Sequence, residues 1–156
     1  MLEEKIASLE TAMRRSRPVT IKISGCPNGC GHHLVGEIGL RGVARNVGGR
    51  PAPHYMLHLG GGARDDGTAF FGTPIGRVAA RRVPEAVEGL MALLDEEGED
   101  GESARETFAR LGKDRCAAPL KDLLEESPER YREEDFFDLG GSSPEVFPAV
   151  SAGKAP

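Results

Sequence analysis

Apolar residues recur along this chain with two different periods, and the changes of period mark its elements. Leu2, Ile6, Leu9 and Met13 fall at helical spacing, Arg14, Arg15 and Arg17 follow at the end where cations suit the helix dipole, and Pro18 stops the run. The period then drops to two. Val19, Ile21 and Ile23 alternate with Thr20, Lys22 and Ser24, which predicts a strand with one apolar face. After a turn rich in Gly, Gly31 to Ile38 is compatible with a short helix despite Gly36, and Val43 to Val47 predicts a second strand. Gly48-Gly49-Arg50-Pro51-Ala52-Pro53 interrupts the pattern before a third strand, Tyr55 to Leu59, which ends in Gly60-Gly61-Gly62.

Beyond the glycines the helical period dominates. Asp65-Asp66-Gly67-Thr68 reads as a loop and Ala69-Phe70-Phe71-Gly72 as a short apolar piece. Arg77 to Val83 leads into a helix with Pro84 in its first turn and Val87, Leu90, Met91 and Leu94 as its buried stripe. The acidic stretch Asp95 to Glu102 is a solvated link, after which Ala104, Phe108 and Leu111 predict another helix, closed by Gly112. Leu120, Leu123 and Leu124 add one more, and Ser142 to Pro156 reads as disordered or weakly docked. No internal repeat is visible. The expected class is α+β, a small mixed β-sheet flanked by helices, with one domain over residues 1–113 and a partly disordered C-terminal extension over 114–156.

Composition narrows the functional classes. A chain of 156 residues is about one domain and buries a modest core; with 38% hydrophobic residues, no Trp, 21 glycines and 11 prolines it is loop-rich and thin in aromatics. A net charge of −5 argues against a nucleic-acid partner, which calls for a basic face. No apolar run reaches membrane-spanning length, and Met1-Leu2-Glu3-Glu4-Lys5 lacks a signal peptide's apolar core, so no membrane partner is expected. Three cysteines, two of them in a metal-like spacing, suit a reducing compartment better than a disulfide framework, and the cytoplasm is the expected location.

The chemistry concentrates in Gly25-Cys26-Pro27-Asn28-Gly29-Cys30-Gly31-His32-His33, directly after the first strand. Glycines there let backbone approach a bulky inorganic group, and Cys26 and Cys30, spaced C-x3-C, can point at one metal centre. Zinc and iron–sulfur centres usually take four protein ligands, so this is half of a site. The bland alternatives are two structural thiols or half of a small zinc site. His32 and His33 follow Cys30 too closely for zinc-finger geometry; one is expected near the metal centre and the other packed structurally. Asn28 either caps the turn or faces a cofactor. Arg14, Arg15, Arg17, Arg41, Arg45 and Arg50 make the first third locally basic, which suits an anionic cofactor and substrate as well as a solvated face. Cys116 is simplest as a half-buried small residue.

The run Ile21 to Cys30, continuing through Gly31-His32-His33 and Gly36-Glu37-Ile38-Gly39-Leu40-Arg41-Gly42, resembles the second cysteine pair of sirohaem-dependent nitrite and sulfite reductases. His54-Tyr55-Met56-Leu57-His58-Leu59-Gly60-Gly61-Gly62 is similar to the strand and glycine turn that follow the pair in that family, and Phe136-Phe137-Asp138-Leu139-Gly140 matches more loosely. The resemblance implies a domain truncated at its N-terminus. It implies Cys26 and Cys30 as ligands of a 4Fe-4S cluster, Cys30 bridging to sirohaem, and Asn28, Gly61 and Arg64 as weaker cofactor contacts. Where the family's turn carries a polar residue, Gly62 and Ala63 stand here. An N-terminal half or partner chain would supply a first C-x5-C pair, a donor such as ferredoxin the electrons, and nitrite or sulfite would be the small anion substrate. A non-catalytic or zinc-binding module, or a precorrin-modifying relative, are the alternatives.

Overall fold

The computed structural model describes residues 18–125 and 127–137. The helix expected over Leu2 to Met13, the tail from Ser142 to Pro156 and the segment Asp138-Leu139-Gly140 lie outside the described residues.

Strands β1 (Ile21–Ser24), β2 (Ile38–Val47), β3 (Arg50–Leu59) and, after a short β4 (Gly62–Ala63) and β5 (Ala69–Phe70), β6 (Thr73–Ala79) supply the sheets. The main sheet has the order β1-β2-β3-β6; β1 runs parallel to β2 and the other pairs are antiparallel, so the expected mixed sheet is present. Helices α1 (Val83–Glu97), α2 (Ala104–Ala117) and the single turn α3 (Lys121–Leu124) pack on it.

The structure differs from the sequence expectation in three respects. The second and third strands are each ten residues long, because only Gly48-Gly49 separates them. Both glycines have positive φ, 58° and 87°, the pairing a tight hairpin turn needs, and Asn46 Oδ1 accepts the Gly49 N–H at 2.8 Å. Pro51 and Pro53 sit inside β3 without penalty, since β6 pairs with β3 only from His54 onward and leaves that stretch of edge free of a ladder to interrupt. Second, Thr73–Ala79 is a strand, so the lead-in to the helix begins only after Ala79 and not at Arg77; Pro74, Gly76 and a register shift opposite Leu57 and His58 obscure its period of two. Third, Gly31 to Ile38 forms no α-helix but one 3₁₀ turn, His33–Val35.

The apolar face of the sheet carries Ile38, Leu40, Leu57 and Leu59, cross-strand neighbours that merge with Ala86, Val87, Leu90, Met91 and Leu94 of α1 and Phe108 of α2 into one core. Ser103 caps α2 in a capping box with Glu106, and Gly112 interrupts that helix at φ 77°, ψ 169°. The chain does not leave the core there. Cys116 and Leu120 are each 1% exposed within it, and Leu123 and Leu124 pack against it, so the boundary expected at residue 113 falls inside the fold and Cys116 is fully rather than half buried. Residues 127–137 also dock: the Arg50 guanidinium meets both Glu133 carboxylate oxygens at 2.7 and 2.8 Å, and His54 Nε2 shares a 2.7 Å hydrogen bond with the Tyr131 hydroxyl.

Truncating Leu90, which is completely buried, is expected to lower unfolding free energy by about 2–5 kcal/mol through lost transfer energy and an unfilled cavity. Truncating Phe71, 71% exposed, should change it by no more than about 0.5 kcal/mol. Urea unfolding of Leu90→Ala and Phe71→Ala checks the contrast.

Candidate functional site

Register decides what lies on the other face of the sheet. Lys22 pairs with Gly39 and Ser24 with Arg41, while Gly39 pairs with His58 and Arg41 with Met56, so Ser24, Gly39, Arg41 and His58 share one face. The cysteine loop folds back over that face. It has no long element of its own and is shaped by short backbone bonds, His32 N–H to the Gly29 carbonyl at 2.8 Å and Val35 N–H to the His32 carbonyl at 3.0 Å, with Gly29 at φ 74° and His32 at φ 53°.

Glycines make the approach possible. A Cβ on Gly31 would run into the Ile23 carbonyl, one on Gly39 into the His33 carbonyl and one on Gly42 into the Gly25 carbonyl. Gly61 is likewise packed against the Leu34 and Gly36 carbonyls. Glu37 locks the far end: its carboxylate accepts the Thr20 N–H at 2.8 Å and the Arg105 N–H at 3.1 Å, joining the start of β1 to the first turn of α2.

This clasp leaves both Cys26 and Cys30 exposed on one loop as free thiols, while Cys116 is sequestered in the core with its thiol directed at the Phe108 carbonyl and its pKa raised by burial. Among the described residues no three His, Cys, Asp or Glu side chains gather into a metal site. As donors, two exposed soft thiols fit half of a four-thiolate cluster and need two more from elsewhere.

The two adjacent histidines part. His32 is exposed, whereas His33 is buried, with Nδ1 2.9 Å from Ser24 Oγ. Gly31 N–H donates into that same hydroxyl at 3.1 Å, leaving its proton for Nδ1, and we assign the neutral ring's own proton to Nε2. The His33 ring stands 5.2 Å from that of His58, tilted by 55°. Beside the loop a groove of about 350 Å³ is lined by Asn28, His33, Leu34, Arg41, His58 and Phe71 among others.

Of the residues singled out from sequence, Cys26, Asn28 and Cys30 share the loop, and Asn28 reaches the groove. Gly61 does not line it; backbone of the loop fills the space above it. Arg64 is exposed in the β4–β5 hairpin, its guanidinium 4.9 Å from the Phe70 ring centre. Arg50, counted among the basic residues for an anionic cofactor, is committed to Glu133. Sequence reasoning missed His58 and Arg41 as partners of His33. The available signal was the pairing of Gly39 with His58, a bare position opposite an imidazole where a second chain segment can lie.

Together these features define a class: an α+β domain presenting two exposed thiols on a glycine-clasped loop. No family model matches the chain. It is 36% identical over 98 residues to the sulfite reductase (NADPH) hemoprotein beta-component of Bordetella petrii, covering 60% of this chain and 14% of that protein. With the protein of the same description from Escherichia coli O7:K1 it shares 35% identity over 113 residues, 67% of this chain and 17% of the relative. The structure of the Mycobacterium tuberculosis NirA protein superposes with a TM-score of 0.62 at 21% identity, covering 73% of this chain and 22% of that one, and shows the same fold. The chain belongs to the nitrite and sulfite reductase family, and these alignments span only about a sixth of the length of the curated relatives. Among the described residues no helix is long and apolar enough to cross a membrane.

Burial lowers the pKa of His33, His54 and His58 from the ordinary 6.5, and the Arg41 cation adds to this at His33 and His58. The unfolded chain therefore takes up protons first as pH falls, and native stability is expected to decline from about pH 6.5 downward towards the folded-state values. A urea midpoint lower near pH 5.5 than near pH 7.5 is the expected result; equal midpoints would mean that these rings keep their solution affinity for protons.

Proposed function

We propose that this chain carries the second cysteine pair of a sirohaem- and 4Fe-4S-dependent reductase of nitrite or sulfite. The observation that carries the reading is the exposure of Cys26 and Cys30 on a loop packed by backbone contact, half a donor set with no third ligand gathered beside it among the described residues. Cys26 would ligate the cluster alone, and Cys30 would share its sulfur between cluster and haem iron. Asn28, on the groove wall, would meet the macrocycle edge, Arg64 would neutralise a carboxylate from its exposed hairpin, and Gly61 would act from beneath, as the floor on which the loop rests. The first pair would come from an N-terminal half or partner chain, and electrons from a donor such as ferredoxin. A reducing compartment such as the cytoplasm would keep both thiols free for metal. Once loaded, such a site supplies one-electron transfer to a bound anion, six electrons in all, giving ammonia from nitrite or sulfide from sulfite.

Expressed alone and reconstituted anaerobically with iron and sulfide, the chain is expected to hold well under one cluster per chain and no stable sirohaem, because two thiolates cannot close a cubane. Near-stoichiometric cluster and sirohaem in the isolated monomer, by iron analysis and visible absorption, would overturn the reading. Joined to a polypeptide supplying the first pair, Cys30→Ser should disturb both cluster and haem spectra, whereas Cys26→Ser should strike the cluster first. Unchanged cluster–haem coupling in Cys30→Ser would remove the bridging role.

A further inference from the structure

Residues 127–137 cross the hairpin end of β3 as a strap, and the contacts that hold them there are mostly polar. Register puts Arg45, Arg50, His54 and Arg77 on one face of the sheet. The strands of that sheet contain no Asp or Glu, so the strap brings the acid: Glu133 pairs with Arg50, and Asp135 stands 3.6 Å from Arg82. Arg81 Nε donates to the Glu134 carbonyl at 2.6 Å, and Arg82 donates to the Arg130 carbonyl. Of the strap's side chains only Asp135 is fully buried, while Tyr131, Phe136 and Phe137 are half-buried. Such a segment gives up few apolar contacts when it lifts, which places it among the first parts of a fold to open.

One buried contact beneath the strap depends on a proton. His54 is 1% exposed, and its Nδ1 lies 3.0 Å from the Ala52 carbonyl, which can only accept, so we assign the ring's N–H to Nδ1. In the neutral ring Nε2 is then bare and accepts the Tyr131 hydroxyl at 2.7 Å. A second proton on His54 turns that acceptor into a donor and breaks the bond as it stands. It also adds a cation beside Arg45 of β2 and Arg77 of β6, both of which face the ring. Burial weighs most heavily against the charged ring and the two arginines add to it, while the Ala52 carbonyl and Asp135 of the strap favour the charge; the balance lowers the pKa. Lifting the strap admits water to the imidazolium and removes the burial.

We propose that residues 127–137 are a proton-operated latch: Tyr131 closes it on neutral His54, and a charged His54 lifts it while the core stays folded. Opening withdraws Glu133 and Asp135 from the end of the sheet and uncovers Arg50, Arg81, Arg82 and the imidazolium together. Acidification thus exposes a cationic surface that neutral pH conceals. With the strap open His54 titrates near the ordinary 6.5, and with it closed lower, so closure is favoured in full above about pH 6.5 and lost as pH falls towards the closed-state value. Hydrogen bonds from Arg50 hold the Glu133 carboxyl below the usual carboxylate range, so that pair stays charged throughout this window. Neither Cys26 nor Cys30 takes part, and the latch stands apart from the cluster reading.

Amide exchange of the full chain, followed by mass spectrometry and corrected for the intrinsic effect of pH, reads the latch directly. The Tyr131 and Asp135 amides, bonded to the Pro128 and Arg132 carbonyls, report closure of the strap. From about pH 7.5 to about pH 5.5 strap protection is expected to fall several-fold, up to about tenfold for one proton, while β2, β3 and α1 keep theirs. His54→Gln, which takes no proton, should flatten this step even though the buried His33 and His58 remain. Arg50→Gln should lower strap protection at every pH and leave the step in place, since it removes the Glu133 pair and not the proton. A flat wild-type profile, a wild-type step surviving in His54→Gln, or equal loss across β2, β3 and α1 overturns the proposal. Where His54→Gln does not fold, NMR of the wild-type His54 ring decides: its titration should coincide with the loss of strap protection, and a ring that charges while the strap stays protected removes the latch.

Discussion

Backbone lying directly on backbone is the constraint from which the rest of this structure follows. The loop bearing Cys26 and Cys30 contributes almost no side chain to the core, so it is held by how closely its carbonyls can sit on the sheet. That distance exists only where Cβ atoms are missing, at Gly31, Gly39, Gly42 and Gly61. These four come from three parts of the chain: the loop itself, two points along β2 and the turn after β3. A loop fixed in this way has its side chains free for other purposes, which is how two thiols stand exposed on a loop anchored through its backbone.

The two faces of the sheet divide the labour. One is an aliphatic surface merged with α1 and α2, where burial of Leu57 and Leu90 stabilises the fold in the ordinary way. The other is polar and is covered by the loop, and there Ser24 bonds both His33 and the Gly31 N–H, with Arg41 on the same face. Glu37 links the two tasks, since one carboxylate receives N–H groups from the start of β1 and from α2, the helix that belongs to the core.

How much of this could be read beforehand depended on whether the governing interaction was local. The α1 stripe is a local pattern and appears in the structure at its expected place, whereas β1 is present but starts at Ile21 and buries Ser24 in place of Ile23. The limits of β2 and β3 were not legible because prolines usually end a strand, and their tolerance here depends on where a distant β6 stops pairing. Strand β6 itself was obscured by Pro74 and Gly76. At the site, the thiols were evident from composition, while His58 was not: twenty-five residues of sequence separate it from His33, and only the Gly39 register brings the rings together. Ile23 shows the converse, an alternating apolar position that the strand leaves 55% exposed.

Strand β1 is four residues long and, among the described residues, pairs on one side only, whereas β2 and β3 share a ladder ten residues long at the centre of the sheet. Cooperative units of a fold open in order of how many bonds and how much buried surface must be given up together. The hierarchy here puts the thiol-bearing loop and its short strand at the low end and the central hairpin with its helices at the high end. The loop can therefore open and re-seat while the core remains intact, so that the backbone around Cys26 and Cys30 moves through a local excursion and does not draw on the global stability of the protein.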